Sequence, residues 1–190
     1  TGRPVKWMFT RREDFYGGSM DNATYYAKVG FKNDGTITAI KSLATFSRDG
    51  WNHSDHLAEN TKIPNIHADS KGAYLNIMPM HAIRCEQNMN AYFLGAVFDR
   101  VAAELKMDPT ELALKNDGCH GHAMADLLEE KRKLGFPERD SLKECVEAGK
   151  KAMDWDNKWH LPGTKKLPNG KMHGLGFIWT HEWNDSAGSG

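Results

Sequence analysis

An α+β fold is predicted for this 190-residue chain, on three observations. β-rich runs joined by a tight-turn signal occupy the first part. Apolar residues at helical spacing, opened by capping signals, occupy the middle. A glycine-led apolar run closes the chain. Strands followed by helices mark α+β, where α/β folds alternate the two. The expected division is residues 1–83 mainly β, 84–155 mainly α, and 156–190 a connector with a strand into a following lobe.

Residues 5–10, Val-Lys-Trp-Met-Phe-Thr, predict a strand leaving a Gly-x-Pro bend, and the polar residues 11–22 a loop. Residues 24–32 and 36–47 form two β-rich runs around Asn33, Asp34 and Gly35. Those residue types tolerate positive φ, so the pair predicts a hairpin. Residues 48–62 are polar and are expected to cross the surface. Ile63-Pro64-Asn65-Ile66 leads into an extended run through Asn76.

From Asn88, apolar residues fall at Met89, Tyr92, Phe93, Ala96, Val97, Val101 and Leu105. That three-and-four spacing predicts an amphipathic helix. Asp108, Pro109 and Glu111 predict an N-capped second helix, stopped at Asn116-Asp117-Gly118. Ser141 and Glu144 form another capping box, before a helix with Leu142, Cys145, Val146, Gly149, Ala152 and Met153 on one face. Residues 155–169 predict a connector, and residues 174–183 a buried strand.

Composition narrows the function classes. Lys plus Arg equals Asp plus Glu, at 25 each, so the formal charge is zero. Nothing in that balance recruits nucleic acid or an anionic membrane. No apolar run approaches the roughly 20 residues of a membrane span. Cys85, Cys119 and Cys145 are odd in number and lack finger spacing, which points to free thiols and a cytoplasmic location. Six Trp and nine Met are read as core filling. The absent start methionine and the two chain ends suggest an internal piece of a longer polypeptide.

Two stretches carry a resemblance. Thr1-Gly2-Arg3-Pro4-Val5-Lys6, then Thr10-Arg11-Arg12-Glu13-Asp14-Phe15, resemble a T-G-R-P-V-K…T-R-x-E-x-F segment. Residues 28–39 match the hairpin that follows it. Ile63-Pro64-Asn65-Ile66, then Ala82-Ile83-Arg84, resemble an I-P-N-I followed by an A-x-R-G loop. Residues 99–116 resemble D-x-L-A-x-x-L-G-x-D-P-x-E-x-R-x-K-N. In order and spacing these are similar to the large subunit of the xanthine dehydrogenase and aldehyde oxidase family, closely over about residues 1–118.

The resemblance implies a molybdenum-pterin cofactor and oxidation of an activated carbon, such as that of an aldehyde or N-heterocycle, with a glutamate as general base. It implies [2Fe-2S] and FAD on partner iron-sulfur and flavin subunits. It also implies that the Gly-rich cofactor loop precedes Thr1 and the base glutamate follows Gly190, so this piece holds no catalytic residue and does not turn over alone.

The near-metal loop implied by the resemblance is Arg84, Cys85, Glu86 and Gln87. Relatives read R-G-F-G there, with a phenylalanine that stacks on substrate; here Glu86 takes that place. Cys85 replaces the first glycine. Aerobic carbon-monoxide dehydrogenase reads A-Y-R-C-S-F-R, with copper on its cysteine, and this chain shares A-x-R-C but not S-F-R. Cys85 is therefore a candidate to face the site and a candidate copper ligand; the simpler reading is a small buried thiol.

Between Ser47 and Ile63 the chain is shorter than the purine-orienting insert of xanthine-oxidising relatives, which argues against purine. Trp51, His53 and His56 are candidates for a different pocket, or else a polar loop with one anchoring Trp. Cys119, His120 and His122 read as a solvated turn rather than zinc ligands. His173, His181 and Glu182 beside Gly174-Leu175-Gly176 read as packing, and residues 129–133 as a solvated helix face. Two rivals stand beside the enzyme reading: a non-catalytic interaction module built on the Trp and Met residues, and a small Cys/His metal-binding domain.

Overall fold

The computed structural model describes residues 2–17, 23–47, 57, 60–76, 87–118, 133–135 and 141–179. Five helices and three strands are described: α1 (Arg11–Gly17), β1 (Ala23–Phe31), β2 (Ile37–Phe46), β3 (Ile66–Gly72), α2 (Gln87–Leu105), α3 (Pro109–Asn116), α4 (Ser141–Met153) and α5 (Trp155–Lys158). The α+β expectation holds.

The hairpin forms as predicted. β1 and β2 pair antiparallel from Ala23↔Phe46 to Gly30↔Ala39, with a bulge at Gly30/Phe31. At the turn, Gly35 adopts φ +87°, which a side chain resists. Its N–H donates to the Lys32 carbonyl at 2.9 Å. β3 adds on the other side of β2, parallel, from Ile40↔Ile66 to Phe46↔Gly72. Central β2 turns Ile40, Ala44 and Phe46 inward.

Three expectations need correction. Residues 5–10 form no strand, and Val5, Trp7, Met8 and Phe9 stand exposed. An extended segment becomes a strand only with a partner ladder, and none is present among the described residues. The expected loop after it contains α1 instead. Thr10 and Glu13 cap that helix reciprocally: the Thr10 N–H donates to Glu13 Oε2 at 2.8 Å and the Glu13 N–H to Thr10 Oγ1 at 3.3 Å. Residues 174–179 also belong to no strand, although Trp179 is buried as expected.

Two further readings shift in part. Residues 48–62 were expected on the surface, yet Leu57, Asn60 and Thr61 are buried. The connector after Trp155 begins with the short helix α5. Among the described residues, no helix is long and apolar enough to cross a membrane.

The core lies between the sheet and α2. Phe93, Leu94, Val97, Phe98, Val101 and Ala102 meet Ile37, Ile40, Leu57 and Ile63 there. The buried stripe of α2 is rotated from the predicted one, because Tyr92 is exposed and Leu94 is not.

Asn116, at the end of α3, ties helix to hairpin. Its amide donates to the Gly35 and Leu112 carbonyls, each at 2.9 Å, and its oxygen accepts from the Ile37 N–H at 2.8 Å. Lys115 adds a bond to the Asp34 carbonyl at 2.6 Å. Asp108 plays the corresponding part at the other end of α3. One carboxylate oxygen caps the Thr110 N–H at 2.8 Å, and the other accepts from the Trp155 indole at 2.9 Å. Lys150 lies 3.8 Å from Asp108 and 3.0 Å from Asp156. The Asp156 hydrogen bond raises the Lys150 pKa, against a smaller opposing effect of burial.

Candidate functional site

Strand polarity brings two strand ends together. β2 and β3 run parallel, and the register Phe46↔Gly72 puts their C-terminal ends side by side. Residues 48–56 follow β2, and residues 77–86 follow β3. The C-terminal ends of β2 and β3 therefore lie at one end of the sheet. Ala23, paired with Phe46, starts β1 at that same end.

α2 returns the chain to this end. Phe93, two turns into α2, stacks on Tyr25 of β1 with centroids 4.5 Å apart and planes at 14°. Tyr25 in turn meets Phe46 edge-on at 5.8 Å. The aromatic trio holds the first half of α2 against the strand ends.

Arg84, Cys85 and Glu86 lie outside the described residues, and so do Trp51, His53 and His56. Gln87 opens α2. The copper reading on Cys85 likewise falls outside.

The first turn of α2 carries no acidic residue. The positive end of the helix dipole lies at this turn. Such a terminus accepts anionic oxygens.

A groove of about 780 Å³ runs between β1 and α2, lined by Tyr25, Val29, Phe31, Phe93 and Val101, with Arg100 and Glu104 at its side. Its lining is chiefly apolar, as suits packing or a planar ligand more than a hydrolytic site. Among the described residues, no group of three or more His, Cys, Asp or Glu side chains is placed to hold a metal ion. The expected Cys119, His120 and His122 turn lies outside the described residues, as do His181 and Glu182.

Two features went unread in the sequence. His173 pairs with His160, Nδ1 to Nε2, at 2.8 Å. The Pro168-Asn169-Gly170 turn between them was a usable hairpin signal. The indole N–H of Trp179 is buried without an acceptor among the described residues. No sequence pattern announces that.

The sequence profile of the molybdopterin cofactor-binding domain matches residues 1–117. No curated protein matches the chain. Among solved structures, the chain is similar to the aldehyde oxidoreductase of Desulfovibrio gigas, at 22% identity and TM-score 0.48, over 64% of this chain and 16% of that one. It is similar to quinoline 2-oxidoreductase from Pseudomonas putida 86, at 21% identity and TM-score 0.48, over 62% of this chain and 17% of that one. It is also similar to CO dehydrogenase from Oligotropha carboxidovorans, at 15% identity and TM-score 0.44, over 72% of this chain and 20% of that one. The chain thus spans a fifth or less of the length of these structures. With the profile covering well over half of its residues, the chain belongs to the molybdopterin cofactor-binding domain family.

Proposed function

We propose that the chain is part of the cofactor- and substrate-binding subunit of a molybdenum-dependent oxidoreductase that hydroxylates an aldehyde, an N-heterocycle or a similarly activated carbon. The observation that carries this reading is the family match over residues 1–117.

In this reading residues 84–87 face the cofactor. The start of α2 supplies N–H donors to its anionic oxygens. Arg84 braces the loop. Cys85 and Glu86 set substrate choice, with the Glu86 carboxylate accepting a hydrogen bond where relatives stack a phenyl ring. Trp51, His53 and His56 contribute to the substrate pocket. When bound, the molybdenum-pterin group supplies the two-electron oxidation of the carbon. Electrons leave to iron-sulfur and flavin subunits, in the cytoplasm.

The alternative, a non-catalytic interaction module, draws on the exposed run of Val5, Trp7, Met8 and Phe9. Metal analysis by mass spectrometry, on the intact parent protein purified with its neighbouring subunits, separates the two. Stoichiometric molybdenum is expected. Copper that disappears in Cys85→Ala would assign that residue as its ligand. A folded complex without molybdenum, made where the cofactor is supplied, would overturn the enzyme reading and leave the interaction module.

A further inference from the structure

The sheet is too narrow for the helix that covers it. β1 is an edge strand, with β2 on one side and, among the described residues, no strand on the other. α2 lies over that edge, with Phe93 stacked on Tyr25. Tyr92, Ala96, Arg100 and Glu104 of α2 also line the groove of about 780 Å³, yet all four stay exposed. They are four residues apart, so they share one face of the helix. The groove is the space that a further strand beside β1 would fill. The outer edge of β1 offers that strand its backbone N–H and C=O groups.

The same chain carries a β-prone segment without a sheet. Every residue from Gly2 to Glu13 is exposed. Side chains alternate along a strand, so pairing would turn Val5, Trp7 and Phe9 to one side. Each of the three is more than half exposed. Their spacing fits the groove. Alternate residues of a strand lie about 6.6 Å apart. Residues four apart on a helix lie about 6 Å apart. Three inward side chains therefore run in step with Tyr92, Ala96 and Arg100.

We propose that two copies of this chain exchange arms: residues 5–9 of each pair with the outer edge of the other's β1 and fill its groove. The added main-chain bonds supply the ladder that residues 5–10 lack, and the apolar side chains cover α2. The area suffices for a stable dimer. An aromatic side chain buries about 150–250 Å², and Trp7 and Phe9 of two arms, already partly covered, contribute roughly 600 Å². The receiving grooves lose about as much again, which reaches the ~1,200 Å² at which stable interfaces begin. Each copy gives and receives the same segment, so assembly closes at two. This exchange is independent of the cofactor reading.

Light scattering after size exclusion counts the copies in the intact protein, and a dimer is expected. Trp7→Asp combined with Phe9→Asp spoils the arm. Ala96→Arg blocks the groove. Each variant should raise the dimer dissociation constant about thirtyfold or more, as loss of a central anchor does. Mixed together, the two should form a dimer weaker than the wild-type one, because the first still offers a groove and the second an arm. Circular dichroism and thermal melts establish that both variants fold. A wild-type monomer, a dimer that survives either set of substitutions, or folded variants that stay monomeric when mixed would overturn the exchange.

Discussion

Asn116 carries three hydrogen bonds while only 3% exposed, and its partners are backbone groups of the hairpin and of its own helix. Truncation to Ala strands the Ile37 N–H and the Gly35 carbonyl. Each stranded buried group costs roughly 1–3 kcal/mol. Asn116→Ala should therefore lower unfolding stability by about 3 kcal/mol in urea titrations. Asn116→Asp should do no better, because its second oxygen faces two carbonyls. A variant within error of wild type would show the turn to be held by other contacts. Asp34 offers a pH test at the same turn. The Thr36 N–H, then the Thr36 hydroxyl and Lys115, hold its pKa down to about 2. A depressed carboxylate stabilises the fold above its unfolded value, near 4, and that contribution fades as pH falls through about 2. Asp34→Ala should melt below wild type at neutral pH, with the difference closing between about pH 4 and pH 2.

At the scale of elements, glycines report how closely segments approach. A Cβ on Gly118 would sit 2.2 Å from the Thr61 carbonyl carbon, a backbone atom that cannot step aside. There the strand-like pair Thr61↔Asp117 joins the approach to β3 with the end of α3. A Cβ on Gly95 of α2 would sit 2.7 Å from Ile178 Cδ1, the free end of a half-exposed side chain. Gly118→Ala should therefore cost more than Gly95→Ala, by about 1–3 kcal/mol, measured by denaturant unfolding. Equal costs would mean that the Thr61 backbone yields as readily as a side chain.

Elements also show what the sequence could disclose. The hairpin was legible because Asn33-Asp34-Gly35 acts locally. The start of α3 was legible because Asp108 caps it within two residues. The helix α1 carried a readable signal in Thr10-x-x-Glu13, masked by the glycines that follow. Residues 5–10 misled because β propensity says nothing about whether a partner strand exists. On α2 the period was right and the phase wrong. Tyr92 and Leu94 are both apolar enough to bury, and only the sheet's position chooses between them.

At the scale of the whole molecule, motif and topology disclose different things. Motif resemblance singled out residues 84–87, of which the described residues include only Gln87, whereas the strand ends that β2 and β3 bring together depend on their parallel pairing. Parallel pairing is a long-range choice that no local run of residues encodes. The His160–His173 contact is hidden for a related reason, since spacing alone does not say which of several histidines will meet.

The reach of Asn116 back to the hairpin sets a timetable for synthesis. Its bonds to Ile37 and Gly35 span 79 and 81 residues. On a ribosome adding about 5–20 residues per second, the turn waits roughly 4–16 seconds for its partner. Throughout that interval the Gly35 carbonyl and the Ile37 N–H lack their Asn116 partner, and for most of it, until Leu105 is made, the apolar face of β2 lacks a complete α2 to cover it. The nascent chain therefore passes through a window in which a chaperone that shields β2 serves it better than one that acts after release.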